Sequence, residues 1–369
     1  MMKSKTIVIV MLLALTAWGL SACEGKATTA PVNENGKTDN RSETQPGFTV
    51  LAEKLKVPWA LDFDKNTAYI TERGGTIVKL EGKKLTREAV ELKKPLFAEG
   101  EGGLLGFALA ADFPQSKRAY AYHTYKENDA VVNRVVVLEH TNKGWAEVQS
   151  LLEGIPGYFN HNGGRIALGP DGKLYVTTGD SDQPKLAQDL NSLAGKILRL
   201  NVDGSVPKDN PFPGSYVYSY GHRNPQGIAW NKAGEMYSTE HGPSGDPGGH
   251  DEVNRIIAGG NYGWPDIIGD AEKEGMIVPL YHTGDKALAP SGAAFDDNGK
   301  LLFAALRGEG LFRFDPQTNG VVQVLSGQGR MRDVKVKDGQ VYILTNNTDG
   351  RGTPSKEDDR LLLLNGYKD

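Results

Sequence analysis

From Phe48 onward the chain carries no sustained helical period. Its apolar residues fall in short alternating or continuous runs broken by Gly, Asn and Asp. One phrase recurs: a short strand, a polar turn with Gly, then a strand rich in β-branched and aromatic residues. It runs Ala60-Leu-Asp-Phe63 to Thr67-Ala-Tyr-Ile-Thr71, then Gly106-Phe-Ala-Leu109 to Arg118-Ala-Tyr-Ala-Tyr122. It returns as Arg165-Ile-Ala-Leu-Gly-Pro-Asp-Gly-Lys-Leu-Tyr-Val-Thr-Thr178 and as Gly227-Ile-Ala-Trp230 to Glu235-Met-Tyr-Ser-Thr239. The last copies begin at Gly292 and Arg332. About six copies at a loose period of roughly 40–65 residues predict an all-β fold, a six-bladed β-propeller with four-stranded antiparallel blades. The Asp-Gly and Asn-Gly turns supply the positive φ that tight hairpins need. A hairpin cannot bury its apolar face alone, whereas radial stacking can. Arg360-Leu-Leu-Leu-Leu364 and Phe48-Thr-Val-Leu51 are candidate strands to close the ring. A decorated β-sandwich is the plainer alternative, but the copies are too many and too evenly phrased for it.

The first residues read differently. Lys3 and Lys5 precede an apolar run from Ile7 to Leu20. At about 14 residues it suits a secretory signal better than a spanning helix of about 20. It ends Leu20-Ser21-Ala22-Cys23, the form of a bacterial lipobox, in which the cysteine becomes the lipidated first residue. Residues 24–46 hold almost no large apolar side chains and cannot offset their ordering entropy. The expected division is a signal peptide over 1–22, a lipidated Cys23 with flexible tether over 23–47, and a catalytic domain over 48–369. The product is then exported and held at the outer face of a bacterial cell membrane, or in the periplasm, by its lipid alone.

Composition narrows the chemistry. Lys and Arg number 42 against 46 Asp and Glu, a net charge of −4, so no basic field exists for nucleic acid. Removal of 1–22 would take away Lys3 and Lys5 and no acid, lowering the charge to −6. One cysteine excludes a disulfide framework and Cys-rich metal sites. The 46 glycines, without a collagen period, imply many tight turns. No H-E-x-x-H and no G-x-S-x-G is present.

Loops at one mouth of a propeller converge from distant parts of the chain, so candidate residues lie beside the repeated phrase. Four segments are dense in Gly, His, Asn and Arg: Glu99-Gly-Glu-Gly-Gly-Leu-Leu-Gly106, Tyr158-Phe-Asn-His-Asn-Gly-Gly-Arg165, Gly221-His-Arg-Asn-Pro-Gln-Gly227, and Thr239-Glu-His-Gly-Pro243 continuing to Gly259-Gly-Asn-Tyr-Gly-Trp-Pro265. Gly329-Arg-Met-Arg-Asp333 is a weaker fifth. The first narrowly misses a dinucleotide fingerprint and precedes no helix. Trp59, Trp230 and Trp264 are expected to pack between blades.

Together these segments resemble the soluble quinoprotein glucose and aldose sugar dehydrogenases, which bind pyrroloquinoline quinone (PQQ) on a six-bladed propeller. The resemblance covers most of 48–369. It implies PQQ- and Ca²⁺-dependent oxidation of aldoses at the anomeric carbon to the lactone. His161 matches the general base, a role suited to an imidazole. Arg223 matches the residue that contacts the quinone carbonyl, and Asn224 a cofactor hydrogen-bond partner. Gly242 and Pro243 match the carbonyls that hold the catalytic Ca²⁺. Asp251, Glu252 and the carbonyl of Tyr262 resemble a second, structural Ca²⁺ site. Arg330 and Arg332 match the pair that meets the PQQ carboxylates, as guanidinium forks do.

Glu101 and Arg307 stand at cofactor or substrate positions where the family pattern has Gln and Lys. Asn160 stands beside the base where Asp is expected, and the insertion Asp246-Pro-Gly-Gly-His250 lengthens the metal loop. The compact form, without a long aromatic insertion, resembles the broad aldose dehydrogenases and suggests a monomer. The sugar and the electron acceptor stay open. Two other readings remain: a calcium-dependent propeller lactonase or related hydrolase, and a non-enzymatic sugar-binding lipoprotein.

Overall fold

The computed structural model describes residues 46–243 and 248–367. The signal segment, Cys23 and most of the tether lie outside the described residues, as do residues 244–247, which include the first two of the loop insertion. The unit that holds the described residues spans Thr44–Asp369. Among the described residues, helix is confined to two short pieces, Phe113–Ser116 and Pro184–Ala187.

The strands form four sheets of four and one of eight. The eight-stranded sheet is two four-stranded meanders, residues 58–91 and 104–156, joined through a short parallel pairing, Val90 with Trp145 and Glu91 with Ala146. That junction departs from the purely antiparallel expectation. It covers two outer edges that would otherwise present unpaired N–H and C=O groups. Within each four-stranded unit, neighbours run antiparallel.

Each recurring phrase of the sequence is the first two strands of one such unit. The first strands are Pro58–Asp64, Leu104–Leu109, Ile166–Leu168, Pro225–Trp230, Pro290–Phe295 and Met331–Lys337. Each touches the next, and Met331–Lys337 touches Pro58–Asp64, so the cycle is closed, as in a β-propeller. The second strands Leu174–Thr178, Met236–Glu240 and Leu301–Ala305 are buried along their whole length because a neighbouring unit covers each face. The outer strand Lys84–Glu91 alternates exposed and half-buried, the pattern of a rim. Apolar clusters accordingly sit between units. Leu61, Ile70 and Val78 pack on Leu344 and Leu361, and Phe303 and Phe314 on Ala229 and Tyr237.

The two ends of the ring meet in one sheet. Phe48–Ala52 pairs antiparallel with Leu361–Leu364, Phe48 opposite Leu364, as the sequence predicts. Leu362 is fully buried there, between Val50 and Ile343. Leu362→Ala should lower stability by about 2–5 kcal/mol, the usual range for a buried leucine truncated in place. Urea unfolding measures this; a loss under about 0.5 kcal/mol, the size of an ordinary surface change, would show that this seam does not hold the ring.

Candidate functional site

Five of the first strands are irregular near their start, with register breaks at Pro58/Leu61, Leu104/Phe107, Pro225/Gly227, Pro290/Ala293 and Met331/Asp333. A bulge turns side chains away from simple alternation. Trp59, Gln226 and Arg332 fall in these stretches, and all three line a cavity of about 430 Å³. Arg330 precedes its strand and Arg332 sits in the break, so the bulge, not plain two-residue alternation, brings both to the cavity.

That cavity gathers most of the residues singled out in the sequence. Glu101, Asn160, His161, Arg223, Gly242, Pro243, Asp251, Arg307, Arg330 and Arg332 all line it. Asn224 lies just behind, fully buried. Its Oδ1 accepts from the Gly163 N–H at 3.0 Å, and its Nδ2 has no partner. Glu252 and Tyr262 are not on the cavity wall. Cys23 lies outside the described residues.

His161 has a left-handed backbone, φ 55°. A Cβ on Gly179 would meet the His161 carbonyl oxygen at 1.9 Å. The imidazole Nδ1 sits 2.7 Å from Asp180 Oδ1, and Asp180 is wholly buried. With Nδ1–H donating to the carboxylate, Nε2 keeps its lone pair. The sequence reading looked for a carboxylate at position 160. The structure supplies it from Asp180, at the end of the second strand of the third unit, in a Thr-Thr-Gly-Asp run that was there to be noticed. The second Asp180 oxygen accepts from Trp264 Nε1 at 2.8 Å. Trp264 therefore does more than pack between blades; Trp230 does pack there, against Tyr175 at 5.0 Å between ring centres. Trp59 both packs and lines the cavity, with the Arg165 guanidinium 4.2 Å from its ring centre.

Six arginines line the cavity, Arg73, Arg223, Arg307, Arg330, Arg332 and Arg351, against two carboxylates, Glu101 and Asp251. Arg73 and Arg351 were missed in the sequence because nothing local marks them; His241 stands within the Thr239–Pro243 segment but was assigned no role. Arg223 is buried, and burial lowers its pKa against the opposing pull of Asp180 and Glu240. Arg330 pairs with Asp349 at 2.8 Å. Arg332 has only neutral partners among the described residues: Gln226 Oε1 at 2.7 Å, Asn346 Oδ1 at 3.2 Å and Ser291 Oγ at 3.4 Å. Burial pushes its pKa down to about 9. A buried cation without a counter-anion is costly. Arg307 lies exposed at the rim.

The carboxylate of Asp251 is fully engaged by backbone N–H groups, Gly242 on Oδ1 at 2.9 Å and Leu288 and Ala289 on Oδ2 at 2.6 and 2.8 Å. It shapes the loop that presents Gly242 and Pro243. Glu252 instead lies opposite Glu240 in register, and burial followed by that carboxylate pushes its pKa up. Tyr262 stacks on His222 with ring centres 4.7 Å apart, and its hydroxyl donates to the Arg255 carbonyl. The described residues contain no cluster of three or more His, Cys, Asp or Glu arranged to hold a metal. The second Ca²⁺ site expected on Asp251, Glu252 and the Tyr262 carbonyl has two acidic side chains and a main-chain oxygen, so that absence does not bear on it. Gly242 and Pro243 both line the cavity, and for a Ca²⁺ there the donors would be their main-chain oxygens, the type a hard cation takes. A flat polyanion fits the same wall. Among the described residues the guanidiniums are in excess, Arg332 has no hydrogen-bonded anion, and Arg223, Arg330 and Arg332 each keep a buried Nε without a partner.

The chain matches the Glucose / Sorbosone dehydrogenase family over residues 55–362 and belongs to it. Aldose sugar dehydrogenase YliI of Escherichia coli (strain K12) is 32% identical over 339 residues, covering 82% of this chain and 90% of the relative. Quinoprotein glucose dehydrogenase B of Acinetobacter calcoaceticus is 35% identical over 266 residues, 63% of this chain but only 55% of that relative's length. The solved PQQ-bound form of Aldose Sugar Dehydrogenase from Streptomyces coelicolor superposes with a TM-score of 0.80 at 36% identity, covering 87% of this chain and 99% of the other.

Glu101 ties the cavity wall together. Its Oε1 accepts from Arg351 at 2.7 Å and its Oε2 from the His161 backbone N–H at 3.1 Å. Burial would raise its pKa, but the Arg351 hydrogen bond and charge, with His241 and the His161 N–H, overcome this and hold it at about 2. A carboxyl depressed on folding stabilises the protein above its unfolded pKa near 4.5 and loses that contribution as pH falls toward about 2. The stability gap between wild type and Glu101→Gln should therefore narrow by about 1–2 kcal/mol between about pH 6 and pH 3. Urea unfolding across that range checks it; a gap independent of pH would mean the carboxylate is not so held.

Proposed function

We propose that the chain is a six-bladed β-propeller that binds PQQ and Ca²⁺ at this cavity and oxidises aldose sugars at the anomeric carbon to the lactone. The observation that carries the reading is the meeting, on one wall, of a carboxylate-backed imidazole with guanidiniums in excess of their anions. Membership of the family supports it. Arg330, Arg332 and the rim residue Arg307 would hold the cofactor's carboxylates, and Gly242 and Pro243 would give oxygens to Ca²⁺. When bound, the quinone supplies the two-electron acceptor that no side chain can provide.

The chain's own residues do the rest. His161 Nε2 takes the proton of the anomeric hydroxyl while the C–H bond gives up its hydride, leaving a C=O. Asp180 stabilises the imidazolium through Nδ1. Arg223 holds fixed positive charge where negative charge develops. Asn224 Oδ1 fixes the Gly163 N–H, and so the turn that follows His161. Trp59, itself buried, forms part of the cavity wall.

Purified protein given PQQ, Ca²⁺, an aldose and a redox dye should reduce the dye. Lactone opening without PQQ would favour a hydrolase, and sugar binding with neither activity a binding protein. His161→Ala should lower turnover by ~10²–10⁴, the range for a lost general base, while an absorbance titration still shows PQQ uptake. Unchanged turnover would remove His161 from the reaction.

The lipid anchor and monomeric state belong to the same reading. Among the described residues no helix is long and apolar enough to cross a membrane. Cys23→Ser should move the protein from the membrane to the soluble fraction; retention in the membrane fraction would refute the anchor.

A further inference from the structure

Asp180 has two oxygens and they are not equivalent. Oδ1 receives His161 Nδ1 at 2.7 Å and the Asp182 backbone N–H at 2.9 Å. Oδ2 receives one donor, the indole Nε1–H of Trp264, at 2.8 Å. Asp180 is fully buried, so no water stands ready to replace that donor. A carboxylate pivots about its Cβ–Cγ bond unless both oxygens are held. The ring of Trp264 also stands 5.4 Å from the Arg223 guanidinium carbon.

The indole is itself fixed by backbone. The segment 259–265 zips alongside Tyr220 and Gly221, with Tyr262 N–H donating to the Tyr220 carbonyl at 2.8 Å and Trp264 N–H to the Gly221 carbonyl at 2.9 Å. Gly221 permits this approach at φ 76°, where a Cβ would meet Asn261 Oδ1 at 2.2 Å. Gln188 Nε2 then holds the Trp264 carbonyl at 2.7 Å.

We propose that Trp264 is a positioning residue: its N–H pins Asp180 so that Oδ1 faces His161, while its ring face supports Arg223, locking base and guanidinium to one rigid side chain. This rests on the reading of His161 as the base. Trp264 touches no reacting atom in this account and acts through Asp180.

The test is a double-mutant cycle on the full chain. Trp264→Phe keeps the ring and removes the N–H. It should lower kcat by about 10–100-fold, the range for a lost supporting contact behind a functional ligand, with KM for the sugar and PQQ uptake unchanged within about threefold. Added to Asp180→Asn it should cost nothing further. In cofactor-free protein, the NMR resonance of the His161 Nδ1 proton should shift or broaden in Trp264→Phe while the circular-dichroism spectrum stays that of the wild type. Multiplying effects in the cycle, or an unmoved resonance, would overturn the proposal. Should Trp264→Phe fail to fold, β-(3-benzothienyl)alanine at position 264 keeps the shape and replaces N–H by sulfur, with the same outcomes. The resonance is read without PQQ or sugar. A wild type that oxidises no sugar therefore overturns the functional reading, and the resonance still decides the role of Trp264.

Discussion

The pairing of Phe48–Ala52 with Leu361–Leu364 is the contact on which the rest of the molecule depends. A row of four-stranded units stacked face to face leaves an apolar face bare at each end. Joining the two chain ends in one sheet turns the last unit against the first, so Leu344 and Leu361 meet Leu61 and Ile70. Closure also fixes where the loops go. Residues from positions 59 to 351 can share one cavity only because the first strands of all the units come together around a common centre. The contact that completes the core thus also assembles the site.

At that centre the local charge runs against the molecule as a whole. The chain carries a net −4, yet six guanidiniums face two carboxylates across the cavity. Packed arginines repel one another and lose hydration, and burial depresses Arg73, Arg223 and Arg332 alike. Asp349 pairs with Arg330, but the fold holds others with neutral acceptors: Gln226, Ser291 and Asn346 around Arg332 and the Gly102 carbonyl on Arg73. Neutral acceptors hold a guanidinium in place without cancelling its charge. A site arranged in this way is preorganised for an anion, since the cost of gathering the cations has been met by folding.

Much of the fold was legible because its signals are local. The hairpin phrase with its Asp-Gly turn, as in Leu168-Gly-Pro-Asp-Gly-Lys-Leu174, is dictated by residues a few positions apart, and each copy became two strands. The seam strands were legible from their apolar runs. The parallel Val90–Trp145 junction was not, because it depends on how far two outer strands extend past one another. The site divides along the same line. His161 and Arg223 sit in dense polar motifs. The pairing of Asp180 with His161 spans 19 residues and that of Asp180 with Trp264 spans 84, so no local motif marks either. Arg73 and Arg351 carry no motif; their place at the cavity follows from closure alone.

Glu101 shows how such a distant partner changes the meaning of a residue. Taken alone, an acid where an amide is expected adds negative charge beside a site built for an anion, and it should weaken binding. In the folded chain its partner is Arg351, 250 positions away on a loop of the last unit. The added carboxylate and that guanidinium cancel, so the cavity's surplus of positive charge is preserved. A glutamine could still accept the His161 N–H but would leave Arg351 without a counter-charge. Glu101 and Arg351 are therefore one feature: an ion pair that ties the backbone of His161 to the unit that closes the ring.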